Sequence, residues 1–346
     1  MSVSLKTSKI LWAKSGNKCA FPGCKQNLVM HDVMTDDPSV VGEEAHIVAR
    51  NEDGPRGNQP LTRDKRDLYQ NLILLCSIHH KIIDDQPDSY PVEKLLEFKL
   101  SHELWVTQNL DIDEKKQNIE IIYASYIEEI EKYLNIDEWR MWTSHIMGTE
   151  YALPYKMTFN LQKLNEYIIS RVWHRLYPEL ERAIVNIKNV NNDLLRVFYK
   201  YADDDFRRSE FLENLSEEDK QYYPVRTRRF YKIKEYDEDL YDELLEKYEY
   251  HTSLIDDLFL ELVRAVNYMY DCVRKFIFPT YRIKEGVLIV ETGMTMQLSS
   301  IIHRVEYTQF DLSDLYPGLE RFMTVRKNRD VHYGEGFSEH YFFKMR

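Results

Sequence analysis

Residues 71–84 of this chain read NLILLCSIHHKIID, and this stretch organises the first part of the fold. An apolar run ends at Cys76, and two adjacent histidines follow. A helix that starts near Ile78 presents His80 and Asp84, four residues apart, on one face. An imidazole and a carboxylate placed in this way suit a hard or borderline divalent cation that keeps open positions for water and phosphate.

A second group of metal ligands surrounds this stretch. Cys19 and Cys24 flank a Pro-Gly turn, which brings the two thiols together. Cys76 and His79, three residues apart, share one face where a helix begins. The four side chains predict a Cys3His site for structural Zn²⁺. The alternative is three buried, inert thiols and a surface histidine, but the chain has only one other cysteine, Cys272, so the clustering favours zinc.

A third histidine precedes this stretch. His46 lies in the short apolar run Ala45–Val48, which is typical of a strand, and there its ring is expected to face the cation across the site. A histidine side chain can accept a proton from water at physiological pH. Asn71 stands just before the next apolar run and is predicted to hold the His46 ring with its amide.

These residues resemble the signature of the HNH endonucleases, the ββα-metal nucleases. His46, Asn71 and His80 correspond to the three signature residues, nested between the two zinc pairs. The chain is similar to bacterial members that serve in restriction and antiphage defence, including the nuclease module of effectors activated by cyclic oligonucleotides. The resemblance covers about residues 5–107, and the segments that carry it are residues 42–47, 53–57 and 71–76.

The resemblance implies hydrolysis of DNA phosphodiester bonds with one catalytic Mg²⁺ or Mn²⁺ ion. His46 would be the general base and Asn71 its orienting partner. His80 would be a ligand of the catalytic cation, and Asp84 would occupy the second ligand position on the helix.

The chain departs from the family pattern at one position. Many members carry Asp or His directly before the base as a further cation ligand, and this chain has Ala45 there. Glu44 is expected to fill that place because strand alternation puts it on the same face as His46. Water is the alternative, and Glu43 is the next candidate ligand.

Two arginines follow the predicted base in a loop that contains Gly and Pro. The guanidinium groups of Arg50 and Arg56 are predicted to clasp phosphates that flank the scissile bond. The alternative for each of them is simple solvation on a loop.

Length and charge limit the rest of the chain. The 346 residues predict two domains, with three as the alternative, and an α+β fold class. The two domains are an HNH domain over residues 1–110 and a mostly helical domain over residues 111–346 with a small β-hairpin. The net charge is -12, and residues 1–110 hold 13 Lys and Arg against 15 Asp and Glu, so most of the excess lies after residue 110. This balance argues against a protein that passively coats nucleic acid.

The mean hydropathy of -0.54, the lack of a long apolar run and the lack of a leader pattern predict a cytoplasmic protein without a membrane partner.

Apolar spacing predicts helices in several parts of the chain. Residues 4–15 and a segment that starts at Pro91 belong to the first domain. The longest stripe, Leu244–Ile277, lies in the second. Residues 281–291 are predicted to form a hairpin that turns near Gly286.

Three hypotheses about function follow. The first is a DNA-cleaving antiphage defence effector whose C-terminal domain controls the nuclease by binding a nucleotide signal, a protein partner or another copy of the chain. The second is a restriction-type nuclease whose C-terminal domain reads specific or modified DNA, and the acidic balance argues against it. The third is a non-enzymatic, zinc-stapled DNA-binding or scaffold protein. The presence of His46, Asn71 and His80 favours the first.

Overall fold

The computed structural model describes residues 3–31, 38–110, 113–148, 151–202, 216, 223–233, 237–294, 300–309, 311 and 315–334. The helices are α1 (Leu5–Lys14), α2 (Arg63–Arg66), α3 (Ser77–Asp85), α4 (Val92–Asn109), α5 (Glu114–Leu134), α6 (Trp139–Ile146), α7 (Tyr155–Ile169), α8 (Pro178–Lys200), α9 (Glu238–Phe276) and α10 (Leu319–Val325). The strands form antiparallel pairs: β1 (Val29–His31) with β2 (Pro38–Val40), β3 (Gly42–His46) with β4 (Leu72–Cys76), β5 (Ala152–Pro154) with β6 (Pro224–Arg226), and β7 (Ile289–Met294) with β8 (Ser300–Arg304). This mixture of helices and small strand pairs, with a mostly helical C-terminal region, confirms the coarse fold class.

The chain divides into two compact units. The first comprises Met1–Glu129 and Val273–Tyr281, and the second comprises Ile130–Cys272 and Arg282–Arg346. Within the first unit, the Lys9 ammonium donates to the Glu120 carboxylate at 2.7 Å and to the Ile277 carbonyl at 2.9 Å. These bonds tie α1 to chain that lies beyond residue 110, where the sequence places a domain boundary. That boundary stays a prediction.

The centre of the first unit is a strand pair followed directly by a helix. β4 is apolar on both faces and is buried along its whole length because α1, α3 and α4 pack against it. β3 pairs with it so that Gly42 lies opposite Cys76 and His46 opposite Leu72. The register therefore places the first residues of β3 beside the start of α3. Gly42 leaves room for Trp12, since a Cβ atom there would lie 2.6 Å from the indole ring.

Local sequence signals account for the helices around this centre. Ser4 caps α1 because its hydroxyl accepts a hydrogen bond from the Thr7 N–H at 3.2 Å. Pro91 directly precedes α4, where its fixed φ favours helix entry. The helices predicted over residues 4–15, after Pro91 and along the Leu244–Ile277 stripe are present as α1, α4 and α9.

The second unit contains a buried cluster of charged side chains along α9. The Glu261 carboxylate lies 2.8 Å from Arg329 and accepts a hydrogen bond from the Tyr307 hydroxyl at 2.9 Å. Asp257 accepts from the backbone N–H groups of Tyr333 and Gly334 at 2.6 and 3.0 Å. Burial raises the pKa of Glu261, and the neighbouring guanidinium groups oppose this effect. Paired in this way, the buried charges hold the chain after α10 against α9.

The prediction of a hairpin over residues 281–291 is wrong. The strand β7 begins later, at Ile289, and pairs with β8. Gly286 has a φ of +73° and its N–H bonds to the Arg282 carbonyl, so this segment forms a turn instead. The Asn267 side chain then fixes Leu288, because it accepts from the Leu288 N–H at 2.9 Å and donates to the Leu288 carbonyl at 3.0 Å.

Candidate metal centre and adjoining polar site

Four side chains converge between the turn after α1 and the start of α3. The ligand atoms of Cys19, Cys24, Cys76 and His79 all lie within 4.8 Å of one another. The His79 Nδ1 atom is 3.1 Å from the Cys76 sulfur and 3.6 Å from the Cys19 sulfur. The predicted Cys3His group is therefore assembled and can hold a metal ion such as zinc.

Turn and helix geometry bring these ligands together. The Cys24 N–H donates to the Phe21 carbonyl at 3.1 Å, and Gly23 takes a φ of +78°, which favours glycine. Cys76 ends β4 and α3 starts with the next residue, so His79 lies almost one helical turn further on.

The chemistry of the four groups fits a bound divalent cation. Burial raises the pKa of the Cys19 thiol to about 12, although the Cys76 N–H donates to its sulfur at 3.3 Å and acts in the opposite direction. Zinc binds the thiolate, so the cation would offset the effect of burial. Burial lowers the pKa of His79, which favours the neutral imidazole that ligates metals. The Phe21 ring stacks on this imidazole with 4.0 Å between the ring centroids.

His80 follows His79 directly but has different partners. Its Nδ1 atom is 2.5 Å from a Glu43 oxygen, and its Nε2 atom is 3.2 Å from an Asp84 oxygen. The hydrogen bond to Asp84 raises the pKa of His80; burial opposes this, and Glu43 adds to the rise. Burial raises the pKa of Asp84, but the hydrogen bonds from His80 and Arg56 outweigh it, so the net shift is downward. The structure thus brings His80 and Asp84 together, as their spacing predicts.

The two acidic residues of β3 have different surroundings. Glu44, the predicted cation ligand, accepts hydrogen bonds from the Ser8 hydroxyl at 3.0 Å and the Trp12 indole at 2.9 Å. Burial raises its pKa. These contacts tie Glu44 to α1, whereas Glu43 reaches His80. Of the two acidic residues, it is therefore Glu43 and not Glu44 that contacts His80.

Asn71 is buried and binds backbone groups. Its side-chain oxygen accepts from the Val48 N–H at 2.9 Å. Its amide nitrogen donates to the carbonyls of Val48 and Arg66, both at 2.8 Å. Asn71 therefore closes the loop between β3 and β4, and the ring of His46 has another partner.

That partner is Asp67, which the sequence did not single out. The His46 Nε2 atom lies 2.9 Å from one Asp67 oxygen, and an Arg50 nitrogen lies 3.2 Å from the other. The His46 side chain is 24% exposed, so solvent reaches it. Asp67 lies in a polar loop without hydrophobic periodicity. It comes close to β3 only because Asn71 closes the loop between β3 and β4. No sequence signal marks it.

Arg56, a predicted phosphate contact, points into the interior. Its guanidinium donates to the carbonyls of Ile47 and Ile83, each at 2.7 Å, and to the Asp84 carboxylate at 2.8 Å. Its side chain is only 4% exposed. Arg56 therefore joins the loop to the residue after β3 and to α3. Of the two predicted phosphate contacts, Arg50 is the one that remains open to solvent.

Comparison of the sequence with protein-family models and with curated proteins returned no match. Among the helices in the described ranges, none combines the length and the apolar content that a membrane span needs.

Proposed function

We propose that this protein is a metal-dependent DNA endonuclease with an HNH-like centre on β3, β4 and α3. One observation carries the proposal: the Cys3His group is assembled at the start of α3, and an imidazole–carboxylate pair on α3 and a solvent-accessible histidine at the end of β3 lie on the same strand–strand–helix unit. Neither the zinc group nor the pair on α3 alone would distinguish a nuclease from a structural zinc domain.

In this proposal His46 is the general base. Its imidazole takes a proton from a water molecule as the water oxygen forms a bond to phosphorus. The bond from phosphorus to the leaving oxygen breaks, and that oxygen takes a proton from solvent. Arg50 would contact a flanking phosphate, since its guanidinium is 40% exposed beside the base.

Two metal ions have separate roles here. The Cys3His group would hold Zn²⁺, whose binding stabilises the fold. His80 and Asp84 offer a nitrogen and an oxygen donor of the kinds that bind Mg²⁺ or Mn²⁺, and Glu43 is a further carboxylate beside His80. The two carboxylates contact different ring nitrogens of His80, so a cation bound at either nitrogen would replace one of these contacts. When bound, that cation would stabilise the negative charge that develops on the phosphate. Adjacent histidines, His79 and His80, thus have different functions.

The proposal includes control by the C-terminal part of the chain, as expected of an antiphage defence effector. A nuclease that acts freely on DNA would damage its own cell, and residues 111–346 carry most of the net negative charge. We expect the full chain to form a homo-oligomer or to bind a partner or nucleotide signal. Light scattering, together with plasmid cleavage in the presence and absence of cyclic nucleotides, tests this. A monomer that cleaves equally under every condition would contradict it.

The test of the catalytic assignment is nicking of supercoiled plasmid by purified full-length protein with Mg²⁺ or Mn²⁺. His46→Ala should reduce the rate by about 10²- to 10⁴-fold, the usual contribution of a general base. His145→Ala is the matched control, because His145 is an exposed histidine on α6. Both variants should keep the wild-type zinc content. Nicking by His46→Ala at the rate of His145→Ala would overturn the assignment.

A further inference from the structure

Asp67 contacts both His46, the last residue of β3, and Arg50, four residues further along the chain. One of its carboxylate oxygens is 2.9 Å from the His46 Nε2 atom, and the other is 3.2 Å from Arg50. Each oxygen of Asp67 therefore has its own partner. Its side chain is 23% exposed, so the contact with the imidazole is partly shielded from water.

The backbone next to Asp67 is anchored. Arg66 is buried, and its guanidinium donates to the carbonyls of Leu61 at 3.0 Å, Ala49 at 2.7 Å and Gly57 at 3.0 Å. The Arg66 carbonyl in turn accepts from the Asn71 amide at 2.8 Å. These hydrogen bonds fix the residue immediately before Asp67, so the carboxylate is presented to His46 from an anchored segment.

The chemistry of the contact selects one form of the imidazole. An ionised carboxylate only accepts hydrogen bonds, so the Nε2 atom of a neutral His46 must carry the proton. The Nδ1 atom then keeps its lone pair. A residue that fixes the tautomer of a base in this way determines which ring nitrogen can take a proton from water.

We propose that Asp67 is a positioning residue that holds His46 in the tautomer with a proton on Nε2 and a proton-accepting Nδ1, while Arg50 fixes the second carboxylate oxygen. The catalytic consequence rests on the proposed nuclease function. The tautomer itself does not, and this separates the two tests.

The direct test is nitrogen NMR of the full-length, zinc-loaded protein with ¹⁵N-labelled histidine, at about pH 8.5, where free histidine side chains are neutral. The His46 signals are assigned by their loss in His46→Gln. The wild-type spectrum should show a protonated Nε2 and an unprotonated Nδ1. The opposite tautomer in the wild-type protein would overturn the proposal without any variant at position 67.

Asp67→Asn provides the perturbation. Its amide can donate to Nε2, which favours the other tautomer, with the proton on Nδ1. We expect the NMR pattern to invert and plasmid nicking to fall by about 10²-fold or more. Asp64→Asn is the matched control, because it makes the same charge change three residues earlier at an exposed position, and it should alter neither readout. Thermal unfolding and zinc content verify that each variant is folded.

The outcomes separate the two proposals. An unchanged tautomer in folded Asp67→Asn, or an inverted tautomer with wild-type nicking, would overturn the positioning role. If the wild-type protein nicks no plasmid under any condition, the nuclease proposal fails, and the NMR result still decides whether Asp67 sets the tautomer.

Discussion

Replacing Arg56 by methionine separates a structural role from the phosphate contact that the sequence suggests. The change removes hydrogen bonds to two buried carbonyls and to the Asp84 carboxylate, at 2.7, 2.7 and 2.8 Å. Each bond contributes about 1 kcal/mol, and carbonyls left buried without a donor cost more. Since the side chain is 4% exposed, water cannot easily replace it. We expect Arg56→Met to lower the free energy of unfolding by about 3–5 kcal/mol.

The assay is urea unfolding followed by circular dichroism, at constant zinc and ionic strength. Arg63→Met is the control, because Arg63 is exposed on α2 in the same loop, and it should change stability by no more than about 0.5 kcal/mol. If Arg56→Met is as stable as the control and instead weakens binding to DNA, the structural reading of Arg56 is refuted.

Three further predictions concern metal, pH and a buried lysine. Cys76→Ser should lower zinc content and the thermal midpoint together, whereas Cys272→Ser should keep its zinc; elemental analysis and calorimetry measure both. Burial raises the pKa of Asp256 from 3.8 to about 8, so the folded state favours the protonated carboxyl. The free energy of unfolding should therefore fall as pH rises from about 4 to 8, by up to about 1.4 kcal/mol per pH unit. In Asp256→Asn the thermal midpoint should depend much less on pH across that window. An equal dependence on pH in both proteins would contradict this. Lys99→Met should destabilise by about 2–3 kcal/mol in urea unfolding, because the buried ammonium donates to two carbonyls at 2.7 and 2.9 Å, and an unchanged midpoint would count against it.

Residues with a periodic or short-range signal could be placed from the sequence. The apolar spacing predicted α1, α4 and α9, and the short spacings within Cys19–Cys24 and Cys76–His79 predicted the zinc group. The contact between His80 and Asp84 follows from four-residue spacing on one helix. Within each pair the partners lie close in the chain, and in each helix the apolar pattern repeats with the period of the element.

Side-chain direction at the site depended on long-range packing and could not be predicted in the same way. Glu44 is bound by Trp12 and Ser8 on α1, a helix more than 30 residues away, so strand alternation alone could not show that its carboxylate is already occupied. Arg56 turns inward, where it donates to the carbonyls of Ile47, directly after β3, and of Ile83 on α3. Both outcomes depend on how the loop closes in three dimensions.

The loop between β3 and β4 shows the same limit. The sequence predicted a loop that contains Gly and Pro, and nothing in its pattern marked Arg66 or Asp67. In the structure Arg66 anchors the loop and Asp67 contacts His46. The roles of these two residues depend on contacts with residues far away in the chain, and spacing in the sequence does not encode such contacts.

The most direct test of the central claim uses the two adjacent histidines. Plasmid nicking by zinc-loaded wild-type protein and His80→Ala is measured over a titration of Mg²⁺ or Mn²⁺, with zinc content determined on the same samples. We expect nicking by the wild type to depend on added cation, and His80→Ala to need much more cation or to lose nicking. The two proteins should contain equal zinc. Nicking without added cation, identical titration curves, or a wild-type protein that contains no zinc would contradict it.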